Sequence, residues 1–287
     1  MKKKFTALLV FLALALAVPF AAFADMGPKP SVEVQTVGLT QSCWVTLLAE
    51  QTVIGPWNLP GSEMPDWFDP GEQPAWEAFS AFEDEDGYHF LQWQAQVSDE
   101  ASAAWNYMAP QRFKILLWFP DTGAYALSEP LERYAFAAVY RLDLTGLDLS
   151  GADGTLTIPV YRNYDYLGEA LGLAARLVLT LAVELLIALP FGYLKRRYLK
   201  VLLLTNLATQ LALNLALNIT AYHSGWLAMW LLYPLLELAV FGVEAVVFRL
   251  TLKKPENKGT PVLYAFVANT VSYVFGLWLG NVLPDLF

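Results

Sequence analysis

Between Asp25 and Tyr166, short apolar runs alternate with polar turns; from Leu167 onward, four long apolar stretches replace them. Ser31–Val37 alternates polar and apolar positions, the two-residue period of a half-buried strand. Segments 44–48, 88–94, 112–119, 134–144 and 155–160 are rich in β-branched and aromatic residues and read as further strands. Asp86-Gly87, Pro120-Asp121-Thr122-Gly123, Ser150-Gly151 and Asp153-Gly154 supply the turns between them. A proline near the start of 74–82 marks one short helix. This half predicts an α+β or mostly-β domain: a small antiparallel sheet or sandwich with one helix.

The apolar stretches read as transmembrane spans at 167–193, 201–222, 227–250 and 261–283, an all-α four-helix transmembrane bundle. Each is long enough for a hydrocarbon core about 30 Å thick at about 1.5 Å per residue. Lys195-Arg196-Arg197-Tyr198-Leu199-Lys200 joins the first two, and Lys253-Lys254-Pro255-Glu256-Asn257-Lys258-Gly259 the last two. Both connectors are basic and should face the cytoplasm, whereas Tyr222-His223-Ser224-Gly225 has no Lys or Arg and should lie outside. Residues 1–24 have the form of a signal peptide: Lys2, Lys3 and Lys4, an apolar core, then Ala22-Phe23-Ala24. The expected organisation is therefore a signal peptide (1–24), an extracytoplasmic domain (25–166) and a four-span domain (167–287). Both termini of the mature chain would lie outside the cytoplasm.

Charge narrows the partners. Residues 25–166 carry 21 Asp plus Glu against 6 Lys plus Arg, a net charge of about −15. Such a surface repels nucleic acid and anionic headgroups and suits a basic protein, cations or sugars. Four carboxylates run through Glu83-Asp84-Glu85-Asp86, but their spacing fits no EF-hand loop and a solvated acidic turn explains them. The single cysteine, Cys43, sits in an apolar run and reads as a buried, inert thiol. Most aromatics fall at strand or helix spacing; Trp57, Trp67 and Phe68 lie among prolines and glycines, where they are free to stack on a sugar or anchor a partner. No nucleophile elbow, zinc motif or phosphate loop appears, and no cofactor or metal is expected.

The polar residues inside the spans are ordered. Gly172, Arg176, Thr180 and Glu184 fall four apart, as do Asn206, Gln210, Asn214 and Asn218. Steps of four trace one slowly drifting stripe on a helix. Glu237 and Glu244 share a face of the third span; Asn269, Tyr273, Gly276 and Gly280 share one of the fourth. Counted from the cytoplasmic ends, Glu184, Gln210, Glu244 and Asn269 lie 11, 10, 9 and 8 residues deep. At about 1.5 Å per residue, that is one level near mid-membrane. Asn206 belongs to the same stripe; Asn214, Glu237, Asn218 and Arg176 form an outer set in which Arg176 could pair with Glu237 or reach the headgroups. Two explanations stand side by side: interhelical glue, with the acids as protonated donors, or an intramembrane polar site that holds a proton or cation.

Asp25-Met26-Gly27-Pro28-Lys29-Pro30-Ser31, Phe113-Lys114-Ile115-Leu116-Leu117-Trp118-Phe119-Pro120, Glu184-Leu185-Leu186-Ile187-Ala188-Leu189 and Leu236-Glu237-Leu238-Ala239-Val240-Phe241 resemble a set of predicted membrane proteins of Gram-positive anaerobes. The resemblance covers the whole chain and implies the same layout of signal, exported domain and four spans, with no activity. The function expected is that of a multi-pass cell-envelope protein whose exported acidic domain binds or senses an envelope protein or carbohydrate. The alternatives are a small proton- or cation-coupled transporter or intramembrane acid–base catalyst using Glu184, Glu237 and Glu244, which favours a homodimer, and a scaffold for a neighbouring membrane complex.

Overall fold

The computed structural model describes residues 27–51, 63–107, 109–149, 155–253 and 260–282. The signal segment, Trp57, Asp153-Gly154 and most of the second basic connector lie outside the described residues. The chain divides into two compact units, one of 1–133 with 142–159, the other of 134–141 with 160–287.

The first unit is built on β2 (Cys43–Ala49) and β6 (Arg112–Phe119), which pair antiparallel from Trp44 opposite Trp118 to Ala49 opposite Phe113. β3 (His89–Phe90) and β4 (Ala95–Val97) pair with β2, and β8 (Leu131–Glu132) and β7 (Ala124–Ser128) pair with β6. Outside β7 lies β10 (Thr155–Ile158), and the β7–β10 pairing is parallel. The sheet is therefore mixed, not antiparallel as expected. The physical reason is the connection: the chain leaves β7 and returns only after a long crossover, which is what parallel strands require and hairpins do not. Apart from this sheet, β1 (Ser31–Val37) pairs antiparallel with β5 (Ala103–Trp105).

Period-two alternation sends Phe113, Ile115, Leu117 and Phe119 to one face of β6, and Lys114, Leu116 and Trp118 to the other. On the second face sits α1 (Gln73–Ala81), whose Ala75 and Phe79 pack with Leu48, Leu116 and Tyr88. Proline in its first turn fits a position whose N–H has no helical acceptor.

In the second unit, β9 (Ala137–Asp143), which crosses the unit boundary, and β11 (Val160–Arg162) precede three helices. These are α2 (Tyr166–Phe191), α3 (Arg196–Thr251) and α4 (Pro261–Val282), all long and apolar enough to cross a membrane. Among the described residues three such helices, not four, follow the sheets, because expected spans two and three belong to one 56-residue element. A straight helix of that length would run about 84 Å, well beyond a core of about 30 Å. α3 does not run straight. Gly225 takes φ 85° and ψ 169°, and the chain reverses there. Thr209 hydrogen-bonds Glu244, and Leu213 and Leu217 pack on Val240, so the arms 196–224 and 226–251 lie antiparallel. An alanine Cβ at Gly225 would come within 2.6 Å of the Phe136 ring, and the Phe136 N–H donates to Tyr222 O at 2.8 Å. The reversal thus demands glycine twice, for the positive φ and for the ring beside it.

Candidate functional site

The helices bury polar residues and expose apolar ones. Glu184, Asn206, Gln210, Asn214, Glu244 and Asn269 are buried, while Val178, Leu186, Leu204, Leu238, Phe266 and Val274 are exposed. This inverts the order of a water-soluble protein.

The polar residues share one level. Ala188, Leu202, Phe248, Tyr264 and Ala265 form a buried apolar cluster with Tyr193 at the end of the bundle nearest the basic connectors. Four residues beyond that cluster, one helical turn, stand Glu184 on α2, Asn206 and Glu244 on the arms of α3, and Asn269 on α4. Below them Tyr264 is the hub of the cluster, its ring 5.5 Å from Phe191 and Tyr193 and 5.7 Å from Phe248. Its hydroxyl donates to the Glu184 backbone oxygen at 3.1 Å.

Glu244 is well supplied with partners. Asn269 Nδ2 donates to its Oε2 at 2.6 Å and Thr209 Oγ1 to its Oε1 at 2.6 Å. Thr209 has one proton facing three oxygens, with Thr205 O at 3.0 Å and Asn206 O at 3.2 Å. The short contact with Glu244 is therefore met either by the Thr209 proton or by one on Glu244, with Thr209 turned back to its own helix. Glu184 is different. It is 0% exposed, and neither carboxyl oxygen has a hydrogen-bond partner among the described residues. The charges that reach it are those of Glu244 and Glu237. A lone ionised carboxylate in that position is costly without a partner.

The outer residues are arranged otherwise than expected. Arg176 does not pair with Glu237: its Nη2 donates to Asn218 Oδ1 at 3.2 Å, and Asn218 Nδ2 donates to Glu169 Oε2 at 3.2 Å. The amide of Asn218 sits close enough to intercept the guanidinium, which turns into the bundle rather than out to a headgroup. Tyr233 stands one turn before Glu237 on the same arm. Asn214 Nδ2 bonds Gln210 O at 2.9 Å. Arg176, Asn218, Tyr233, Glu237 and Gln210 line a cavity of about 80 Å³. Gly276 helps open it: a Cβ there would meet the Tyr233 hydroxyl at 3.2 Å. Gly280 lies where no side-chain surroundings are described.

In the first unit, Trp67 stays 63% exposed, and the half-buried Phe68 packs against Trp76 with ring centroids 5.3 Å apart. The acidic run is not simply solvated. Asp84 is 1% exposed and pairs with Lys114 Nζ at 2.7 Å, and Asp86 joins the same amine at 2.6 Å. Cys43 is fully buried, and burial pushes its thiol up to about 12.

Sequence reading missed Thr209, Tyr233 and Tyr264. Thr209 sits beside Gln210 at the stripe's edge, a usable signal. Tyr264, near the start of its span, looks like an interfacial aromatic. No family model matches the chain, and neither a curated protein nor a solved structure does.

Proposed function

We propose that the chain is a multi-pass cell-envelope membrane protein with an acidic extracytoplasmic binding or sensing domain, held by a polar-cored bundle whose two α3 arms, α2 and α4 each cross the bilayer. The observation that carries this is the inverted burial of the helices, apolar outward and polar inward. The basic connector Lys195-Arg196-Arg197 would face the cytoplasm and the reversal at Gly225 the outside, putting the N-terminal domain and the C-terminus outside. Protease added to intact cells whose outer layers have been stripped should digest the region 27–162 and spare the bundle. If that region survives until the membrane is opened, the orientation is wrong.

A second reading is favoured by one observation, the unpartnered Glu184 carboxyl beside Glu244 and Glu237. On this reading the bundle is a proton- or cation-binding device. Amides alone would serve as glue without the risk of a stranded charge. Glu184→Gln should then abolish any ion- or proton-dependent property of the protein while the fold, measured by thermal unfolding in detergent, survives.

A further inference from the structure

The unmet polar atoms of the bundle interior are lopsided. Both oxygens of Glu184, Oδ1 of Asn206, Oδ1 of Asn269 and Oε2 of Glu237 are buried without a hydrogen-bond partner among the described residues. The unmet nitrogens there are Gln210 Nε2 and Arg176 Nε. Tyr193, whose hydroxyl is also unmet, belongs to the apolar cluster at the connector end. A cation draws several oxygens at once, whereas a water meets at most two of them with its two protons.

Charge sets the valence of that guest. Among the described residues no three His, Cys, Asp or Glu gather into a group able to hold a metal, and a divalent ion would want several carboxylates. Glu244 has a hydrogen-bond partner on each oxygen. Neither oxygen of Glu184 has a hydrogen-bond partner among the described residues, and the unmet amide oxygens of Asn206 and Asn269 belong to the same helical level. That is the donor set of a monovalent cation.

Access has a direction. Toward the basic connectors the level is closed by Tyr193, Phe248 and Tyr264. On the opposite side lies the cavity bounded by Gln210, Glu237, Tyr233, Arg176 and Asn218. The groups facing Glu184 are Glu237 and Glu244 from the second arm of α3 and Tyr264 from α4; the first arm presents the amides Asn206 and Gln210. Arg176 stands two turns away on its own helix.

We propose that Glu184, with the amide oxygens of Asn206 and Asn269, forms a binding centre for a monovalent metal cation that competes with a proton for the carboxyl and arrives through the cavity beside Glu237. The centre depends on these helices being membrane spans.

Dicyclohexylcarbodiimide tests it. The reagent adds to a protonated carboxyl and leaves an N-acylurea whose position mass spectrometry reads. The full chain is reconstituted in vesicles of phosphatidylcholine and phosphatidylglycerol at mildly acidic pH, at fixed ionic strength. Glu184 should be tagged in choline chloride. Sodium, potassium or lithium should slow tagging, by about tenfold at about ten times the ion's dissociation constant. Asn206→Leu should keep the tagging and lose the protection. Equal tagging rates in all four salts would overturn the proposal, as would tagging and protection at Glu244 or Glu237 with Glu184 untouched, or no tag on any of the three. A chain that does not float with the vesicles would instead overturn the membrane reading, a separate result.

Discussion

Lys114 is a buried amine on the helix-bearing face of a central strand, and it exists there because of two acids thirty and twenty-eight residues earlier. Burial alone would lower its pKa; hydrogen bonds and attraction from Asp84 and Asp86 more than offset that, and the net direction is upward. A raised lysine stabilises the fold below its unfolded value, about 10.4, and that contribution fades as pH climbs through the higher folded value. The denaturant midpoint of the first unit should therefore hold steady across neutral pH and fall in strong alkali, as followed by tryptophan fluorescence. Lys114→Ala strands the 1%-exposed Asp84 and should cost about 3 kcal/mol. A loss under about 1 kcal/mol would mean that water reaches Asp84 after all. Nothing in Glu83-Asp84-Glu85-Asp86 taken alone announces this role, since the partner is distant in sequence. The tetrad looks like solvated surface until the strand delivers Lys114. The stripe residues Glu184, Asn206, Gln210 and Glu244, by contrast, were legible as inward-facing, because helical period and depth from a charged end are both local counts.

Elements were readable where their own period decides them. β1 has the bounds that alternation gives and β6 those of its aromatic and β-branched run, and α1 begins one residue before the expected 74. β7 and β10 were harder, because pairing is chosen by the path between strands and not by either strand's composition. Segment 88–94 reads as one strand but is only His89–Phe90, after which Gln92 takes φ 55° and interrupts the ladder before β4. The two middle spans look separate in hydropathy, yet the helix runs up to Gly225 and resumes directly after it without a loop. Gly225→Ala meets both a positive φ and the Phe136 ring, and should destabilise the purified protein by roughly 1–3 kcal/mol. Gly225→Ala combined with Phe136→Ala removes the collision but not the backbone strain, and should recover part of the loss. A double variant no better than the single one would show that the ring is not what crowds the turn.

At the scale of the whole molecule, one chain joins two surfaces of opposite character. A strongly acidic, strand-built region precedes helices whose outer faces carry Leu204, Leu238 and Phe266. The full chain expressed in bacteria should stay with the membrane pellet through an alkaline carbonate wash and leave it only in detergent. Release by carbonate would mean that the apolar faces meet protein instead of lipid. Composition places the division after residue 166, whereas the compact units put 134–141 and 160–166 with the helices. The unmet oxygens of the bundle were not legible in the sequence, because they become visible only when every neighbour of Glu184 is known.

The seat of Phe136 has a bearing on biogenesis. The ribosome emits Phe136 some ninety residues before Gly225, so the ring must wait while α2 and the first arm are made. Its N–H finds Tyr222 only when the turn emerges. The latch on the helical hairpin therefore fastens late, and a nascent chain halted anywhere before Tyr222 carries an aromatic plug with no socket.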